Sequence, residues 1–532
     1  MNEDQFVIPS YQRPYSWEYD QCFQLYTDLM EAFAEKNDYF IGNIILANSQ
    51  EEKGRSYLVD GQQRLITIWL LLKILYIFFP ELTILKRMLS IESWDGTESK
   101  AKIQSQIFEA QDNTHLETIF SRSKESLQER LQAVSDKQGH VQEWKCNSRI
   151  EANALLFYYW FSSFVTQATD DQRQAFVRFL LEDVYLLPIE LFGQTLHEAN
   201  NKALTIFETI NNRGMNLEDA DIFKAKLYNK AEKIGEGQEF IRAWIDFKSA
   251  CDSLYLSIDD IFRFYSHVIR GHEGITTSEK NLREFFTHES YSPLLYKGYQ
   301  EILDDLFHIL EILQYLNQEV EKPSQTGAWL QIINAYTNQY PKFAIVVYLY
   351  VYGWSGKEDE AFITFLKSLV RYIYVQGSTT TIKFEIYNII KQISNKATIS
   401  DYYRTDINPI HFDTLGRLKK GFALLAFYLE TPQAIPSYSI DKIIGPKDFS
   451  SIAPEWPITD YYSIADSLGN LVVLDIPKKS LSWEQKIEYY KHSHLESIKQ
   501  IWTDRIPSYS QFQQRDSRLK QLLCNFFEGT KI

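Results

Sequence analysis

The sequence predicts an α+β protein that is mostly helical, with one small mixed sheet near its beginning. Two β-rich runs, residues 39–46 and 57–59, are separated by the polar turn 51–54, a pattern typical of a hairpin. Apolar residues from Leu65 onward recur at helical spacing, and amphipathic helical patterns fill most of residues 235–400. A hairpin that leads into a helix, followed by a long helical region, is therefore the predicted plan.

The composition indicates a globular protein from a reducing compartment. The 532 residues are 45% hydrophobic and 15% aromatic, which distinguishes the chain from disordered proteins. The four cysteines are far apart and form no Cys-x-x-Cys pair, which argues against a cysteine zinc site. No signal peptide is visible, and the longest apolar run, residues 65–80, is too short to span a bilayer. We therefore expect a soluble cytoplasmic protein without a membrane partner.

The formal net charge of −15 disfavours non-specific binding of nucleic acid by the chain as a whole. Residues 401–532 contain 16 Lys and Arg against 16 Asp and Glu, so the first 400 residues contain the whole acidic excess. If the protein meets DNA, the composition favours the neutral C-terminal third as the contacting part.

A turn follows the second β-rich run at Asp60-Gly61, and a helix begins at about Gln62. The N-terminus of a helix after a tight turn presents unpaired N–H groups, which suits it to bind phosphate. Asp60 could orient a metal or water, and Gln62 and Gln63 could donate to phosphate or base. Arg64 could pair with phosphate bidentately. An Asp-Gly turn with a downstream Arg is also common without any function, so this stretch alone leaves both interpretations open.

A second polar stretch is residues 8–17, Ile-Pro-Ser-Tyr-Gln-Arg-Pro-Tyr-Ser-Trp. Its two prolines fix φ and favour extended geometry in the residues before them, which predicts an ordered arm rather than a helix. The three aromatic side chains could simply cover the core. Gln12 and Arg13 fit that interpretation less well, because an Arg within an apolar plug needs a partner.

A third stretch is residues 206–217, Ile-Phe-Glu-Thr-Ile-Asn-Asn-Arg-Gly-Met-Asn-Leu. A helix is predicted to end near Asn211, Gly214 can adopt positive φ after it, and Asn216 can cap the next helix. Arg213 and the neighbouring asparagines could therefore serve a ligand, or could only terminate the helix.

These motifs together resemble a known family. Tyr-Gln-Arg-Pro-Tyr-Ser-Trp, Phe-Ile-Gly-Asn, Val-Asp-Gly-Gln-Gln-Arg-Leu and Phe-Glu-Thr-Ile-Asn-Asn-Arg-Gly follow one another as in the N-terminal domain of the GmrSD type IV (SspE-like) restriction enzymes. The resemblance covers roughly the first 230 residues. It implies a ParB/sulfiredoxin-like domain that binds and hydrolyses a nucleoside triphosphate, with Mg²⁺ as the accompanying metal.

The resemblance also implies roles for individual residues. Asp60, Gln63 and Arg64 are the expected catalytic residues. The expected nucleotide-binding residues are Gln12, Arg13, Gly61, Gln62 and Arg213.

The chain is predicted to have three regions. Residues 1–235 form the nucleotide-binding domain, with a polar insertion of helices at 85–150. Within this first region we also expect a buried helix at 149–166 and a central strand at 183–192. Residues 236–400 form a helical connecting region whose aromatic stripes belong to its core, and residues 401–532 form the third region.

Three segments of the third region, residues 438–446, 467–474 and 482–490, resemble the HNH-type nuclease domain (ββα) that follows the first domain in GmrSD enzymes. In HNH nucleases a His acts as general base on a water near a divalent metal. The corresponding positions here are Asp441 and Lys442, and an unperturbed lysine is protonated at neutral pH.

The later Asn of the HNH pattern is not evident in this chain, whereas Asn470 is retained and is predicted to be structural. His411, His492 and His494 have poor spacing for a replacement metal site. The nuclease-like domain is therefore predicted to be inactive.

The function predicted from these inferences is a nucleotide-binding, NTP-hydrolysing component of an anti-phage, modification-dependent restriction system. Its third region would dock DNA or assemble with a partner, either another copy of the chain or a sister subunit with an intact nuclease site. Two alternatives stay open, namely an active metal-dependent DNA endonuclease with an unrecognised site, and a regulator that binds nucleotide without hydrolysing it.

Overall fold

The computed structural model describes residues 4–92, 99–107, 111–211, 219–355, 359–375, 382–396, 418–430, 435, 437–446, 449, 457–475, 481–493, 495–499 and 508–528. The chain divides into two compact units, Met1–Asp246 and Phe247–Ile532.

The first unit contains seven described strands: β1 (Gln5–Ile8), β2 (Tyr39–Ser49), β3 (Arg55–Asp60), β4 (Ser90–Glu92), β5 (Ser99–Ala101), β6 (Ile103–Ser105) and β7 (Val184–Gly193). Its helices are α1 (Tyr19–Glu35), α2 (Gln62–Phe78), α3 (Thr83–Leu89), α4 (Asp112–Ser121), α5 (Lys124–Val134), α6 (Arg149–Gln167), α7 (Asp170–Glu182), α8 (Leu196–Asn211) and α9 (Asp219–Glu232), with α10 (Gly237–Ser253) containing the boundary between the units.

Five strands form one mixed sheet in the order β6-β1-β3-β2-β7. Strands β2 and β3 are antiparallel, which confirms the predicted hairpin, and the other pairs are parallel. The separate pair β4 and β5 is antiparallel. The small mixed sheet within a mostly helical chain confirms the predicted fold class.

The two faces of the sheet are buried by different parts of the unit, because successive side chains along a strand point to opposite faces. Ile44, Leu46 and Leu58 belong to the large core that includes the apolar faces of α1, α2 and α6. Ile45 and Tyr57 alternate with them on the opposite face, which α8 covers. The hairpin is therefore buried on both sides, and its end at Asp60 is held in place from both.

The predicted buried helix at 149–166 is confirmed by α6, whose first twelve residues include eight buried apolar or small side chains and the buried Glu151 and Asn153. Helix α2 is apolar on all sides and is buried around most of its circumference.

Two predictions about this unit are wrong. The strand predicted to be central, β7, lies at the edge of the sheet. Its Pro188 has no N–H to donate, and an edge strand tolerates this because only one of its sides is paired with another strand. The polar insertion at 85–150 is not purely helical, because it contains β4, β5 and β6, and β6 pairs with β1 in the main sheet. Short strands of three residues lack a period long enough to be recognised.

The second unit is helical except for one strand pair among its described residues. Its helices are α11 (Ile258–Glu273), α12 (Leu282–Phe286), α13 (Pro293–Tyr296), α14 (Tyr299–Val320), α15 (Gln325–Asn334), α16 (Tyr340–Tyr352), α17 (Glu360–Val375), α18 (Ile382–Ser394), α19 (Lys419–Glu430), α20 (Ile458–Ile464), α21 (Trp483–His492), α22 (Glu496–Lys499) and α23 (Tyr509–Phe527). Helices α11, α14, α16 and α18 pack together, and their aromatic stripes are buried as predicted.

Strands β8 (Ser439–Lys442) and β9 (Leu471–Leu474) pair antiparallel, and α21 follows them in the chain. This order of two strands and a helix is the one that the HNH resemblance implies, although the assignment itself stays a prediction. The separation into regions 236–400 and 401–532 also stays a prediction, since residues 397–417 lie outside the described part of the chain. Among the described helices, none is long and apolar enough to cross a membrane.

Candidate functional site

The predicted turn and helix start lie between β3 and α2. Gly61 occupies the cap position before α2 with a φ of 87°, a conformation that favours glycine. A Cβ at this position would lie 2.6 Å from Cγ2 of Ile44 and 3.0 Å from the carbonyl oxygen of Asn43. The hairpin therefore crosses so close to the turn that only glycine fits. The 17-residue helix α2 begins directly after it, with the Leu65 N–H donating to the Gly61 carbonyl at 2.9 Å.

The Asp60 carboxyl group is the centre of charge at this turn. Burial raises its pKa above the ordinary value, and three neighbours oppose that rise. The Gly61 N–H donates a hydrogen bond to it, and the positive charges of Arg64 and Arg13 act on it. Arg64 belongs to α2 and Arg13 to the N-terminal arm, so the charges of two residues distant in sequence act on one carboxylate at a helix N-terminus.

Arg64 is placed by the other strand of the hairpin. Its Nη1 donates to the Asn43 carbonyl at 3.0 Å. A Cβ at Gly42 would lie 3.3 Å from Cζ and Nε of Arg64, and the φ of Gly42 is 134°. The register of β2 against β7 shifts between Phe40 and Gly42, which marks a bulge there. The Phe-Ile-Gly-Asn motif therefore acts by making room for the guanidinium group and orienting it.

Three glutamines hold the arm against the turn. Gln12 Nε2 donates to the Val59 carbonyl at 2.9 Å, and Gln62 Nε2 donates to the Arg13 carbonyl at 2.6 Å. Gln63 uses both ends of its amide, because Nε2 donates to the Pro14 carbonyl at 3.1 Å and Oε1 accepts from the Ser16 N–H at 2.7 Å.

Gln62 and Gln63 are only 5% and 6% exposed. Their contacts indicate positioning of the arm rather than direct contact with a ligand, and the catalytic role of Gln63 stays a prediction.

The aromatic part of the arm does cover the core, as the alternative interpretation supposed. The buried Tyr15 hydroxyl lies 2.7 Å from Thr67 Oγ1 and accepts from Asn153 Nδ2 at 2.9 Å. The same Asn153 amide donates to the Trp17 carbonyl at 2.8 Å, and Asp112 Oδ2 accepts from the Tyr15 N–H at 2.9 Å. Sequence reasoning missed Asn153, whose signal was a lone amide within the most apolar stretch of α6.

One polar atom of the motif has no partner. Gln62 Oε1 is buried and makes no hydrogen bond. A buried acceptor without a donor costs about 1–3 kcal/mol, so its presence in a folded protein calls for an explanation such as a ligand or water donor. Arg13 is exposed and Arg64 is partly exposed, so both guanidinium groups can reach a solvent-borne anion. The two arginines therefore fit a phosphate-bearing ligand, whereas the Gln62 oxygen needs an N–H or O–H donor such as a water.

The Asp60 turn also fits a metal ion that binds together with the phosphates of a ligand. Mg²⁺ is commonly held by one or two carboxylates together with substrate phosphates, and Asp60 offers one carboxylate. No group of three or more His, Cys, Asp or Glu able to hold a metal by itself exists among the described residues. Arg213, the remaining predicted nucleotide-binding residue, lies outside the described part of the chain.

In the second unit, the predicted nuclease positions form an ion-pair network. Lys442 Nζ lies 3.1 Å from Asp466 Oδ1, and Lys486 Nζ lies 3.0 Å from Asp441 Oδ2. Lys486 is buried and also donates to the Lys442 carbonyl at 2.8 Å. The lysine at the position of the general base is therefore paired with a carboxylate.

Asn470 is fully buried and uses its amide to hold the loop after β8. Its Oδ1 accepts from the Ile444 N–H at 2.9 Å, and its Nδ2 donates to the Ile444 carbonyl at 3.0 Å. These contacts support the predicted structural role. His492 is exposed and pairs with Glu488 at 3.0 Å, whereas His411 and His494 lie outside the described residues.

Comparison with known proteins agrees with the motifs of the first unit. Residues 1–228 match the protein family described as the GmrSD restriction endonuclease, N-terminal domain. A search of curated proteins finds no match. The matched range contains the arm, the hairpin with its bulge, the Asp60 turn and α8. Residues 1–228 are thus similar to the N-terminal domain of the GmrSD restriction endonucleases, which agrees with the resemblance of the four motifs in this part of the chain.

Proposed function

We propose that the Asp60 turn binds a nucleoside triphosphate and hydrolyses it, as the nucleotide-dependent part of an anti-phage restriction system. The observation that carries the proposal is the position of Arg64 in the first turn of α2, next to Asp60, together with Arg13 of the arm, whose charge also acts on the Asp60 carboxylate. Guanidinium groups and a helix N-terminus both favour phosphate, and here they are directed at one place.

In the proposed reaction, each described side chain has a role that follows from its position. Arg64, oriented by Asn43, and Arg13, held by Gln62 through the arm backbone, neutralise phosphate charge. Asp60 orients the attacking water and accepts its proton, a task favoured by the rise of its pKa on burial. Mg²⁺, when bound with the nucleotide, would neutralise charge on the phosphates. Gln12 and Gln63 keep the arm in place.

In the second unit, we propose a nuclease-like scaffold that docks DNA or a partner subunit and does not cut. The pairing of Lys442 with Asp466 and the use of both amide ends of Asn470 support this part of the proposal. Neither side chain is left to activate a water or to bind a metal.

A second candidate function is a sensor that binds nucleotide without hydrolysing it. The observation that favours this candidate is the engagement of Gln63, since both polar ends of its amide bind the arm. Gln63 is also only 6% exposed, so its remaining N–H and lone pair are shielded from a water unless the arm moves.

Phosphate release from each of the four NTPs, measured with Mg²⁺ and plasmid DNA present, tests these functions. We expect Arg64→Ala to abolish release, because it removes the cation nearest the helix N-terminus. Arg55→Ala is the matched control, since Arg55 lies at the opposite end of β3 from Asp60 and, among the described residues, interacts with Glu52 and Tyr57 of its own turn and strand.

Three outcomes separate the candidates. Release that is lost only in Arg64→Ala, with intact plasmid, supports the hydrolase. Nucleotide binding without release by the wild type supports the sensor. Cleaved plasmid overturns the inactive assignment of the second unit.

A further inference from the structure

The first unit contains a cavity of about 610 Å³ that none of the Asp60 turn residues lines. It lies beside the starts of α8 and α10, at the end of α9, and is bordered by the arm and the hairpin turn. Its volume is within the range of small-molecule sites, roughly 300–1,000 Å³.

The ionic groups of this cavity are acidic. Glu51, Glu52 and Glu232 line it, and none of the described lining residues is Lys or Arg. The charge of Glu52 is partly compensated by Arg55, which does not line the cavity and whose Nη1 lies 3.2 Å from Glu52 Oε2. Burial and the nearby Lys233 lower the pKa of His197, against the opposing charge of Glu232, which favours its neutral form. A polyanion such as a triphosphate is therefore disfavoured here, and a cation is favoured.

This cavity also contains a buried hydrogen-bond acceptor without a partner. Asn200 is 6% exposed and its Oδ1 has no hydrogen-bond partner. The Tyr57 hydroxyl already donates to Glu52 Oε2 at 2.5 Å, which leaves its oxygen to accept. Asn229 Nδ2 is likewise used, on Asn201 Oδ1 at 3.3 Å. A buried acceptor without a donor is the complement of a ligand that carries N–H groups.

The walls of the cavity are aromatic. The Tyr11 and Tyr228 rings lie with centroids 5.1 Å apart, and Tyr57 adds a third ring. Burial raises the pKa of Tyr11 and of Tyr228, so both stay neutral and present ring faces. Aromatic faces together with carboxylates attract ammonium and guanidinium groups.

We propose that this cavity binds a small organic cation with several N–H donors, of the diamine or guanidino-amine class. The carboxylates supply the charge, Asn200 Oδ1 accepts from the ligand, and the tyrosine rings cover its alkyl part. The site is separate from the proposed nucleotide site, so it can exist whether or not the Asp60 turn hydrolyses NTP.

Calorimetric titration of the full chain with putrescine tests the proposal, with 1,4-butanediol as the uncharged probe of similar length. We expect saturable binding of putrescine and none of butanediol. Glu232→Gln should weaken putrescine binding about tenfold, because it removes one charge-assisted contact from an exposed side chain without loss of packing. Asn200→Leu, a second variant, should also weaken it. Glu31→Gln is the matched control, an exposed glutamate on α1 that does not line the cavity.

The outcomes are decisive in either direction. Absence of saturable putrescine binding overturns the proposal. Equal weakening by Glu31→Gln and Glu232→Gln also overturns it, since binding would then reflect only the overall charge of −15. Inorganic triphosphate, the probe of the proposed nucleotide site, should bind the wild type and Glu232→Gln equally. A failure of triphosphate to bind would affect that proposed function and not this one.

Discussion

Replacing Gln63 by Met is expected to release the N-terminal arm while the rest of the unit stays folded. Methionine keeps the length of the side chain, suits a helix and fills a buried position. It cannot accept from the Ser16 N–H or donate to the Pro14 carbonyl, which Gln63 does at 2.7 Å and 3.1 Å.

The size of the effect follows from those two bonds. Each contributes about 1 kcal/mol net, so the arm should lose about 2 kcal/mol of stability against local opening. Since 1.4 kcal/mol corresponds to a factor of ten, amide hydrogen exchange in residues 12–17 should accelerate about thirtyfold. Peptide-resolved exchange measured by mass spectrometry gives this quantity without requiring global two-state unfolding of a chain with two units.

Gln24→Met is the matched control, because Gln24 bonds only Asp28 one turn later on the exposed face of α1. It should leave exchange in the arm unchanged. Acceleration of less than about threefold in Gln63→Met would refute the view that Gln63 holds the arm. If the arm is released as expected, Arg13 leaves Asp60, and phosphate release should fall in the same variant.

Two further predictions concern the bulge and the charge network of the first unit. Gly42→Ala should destabilise the unit by about 1–3 kcal/mol and reduce nucleotide binding, because the added Cβ strains a φ of 134° and displaces the Arg64 guanidinium group. Gly54→Ala is the control, since Gly54 also has a positive φ but has open space around it. In this control, thermal stability should fall while nucleotide binding is kept. Burial alone would raise the pKa of Glu151, but hydrogen bonds from Arg130 and other neighbours outweigh it and hold that pKa at about 2. A lowered folded-state pKa stabilises the fold above the unfolded value of about 4.3, so this contribution should be lost as pH falls from about 4.3 to about 2. Acid titration of unfolding should show this slope in the wild type and a shallower one in Glu151→Gln; equal slopes would contradict the assignment.

Local sequence was sufficient where neighbours in the chain decide the structure. The hairpin, the turn at Asp60-Gly61 and the start of α2 at Gln62 follow from turn propensity and from apolar spacing within about twenty residues. The buried helix α6 is equally local, since an unbroken apolar surface must be covered wherever it lies.

Contacts between distant parts of the chain decided what the same residues do. From the sequence, Gln62 and Gln63 were predicted to donate hydrogen bonds to phosphate or base, yet they bind arm residues that lie 47–49 positions earlier. The need for glycine at position 42 comes from Arg64 of the next helix, whose guanidinium group lies over Gly42. Asn153 supports Tyr15 across 138 positions, a pairing that no local pattern encodes.

By itself, therefore, the sequence determined the fold class, the position of the turn and the family resemblance of the first 230 residues. Those features depend on backbone preference and on the order of motifs, which are properties of short segments. Only the tertiary structure decided the place of β7 at the sheet edge, the clamping of the arm and the acidic cavity, whose lining extends from Pro9 to Gln238. Each of these depends on which segments meet in space, and that is set by packing of the whole unit.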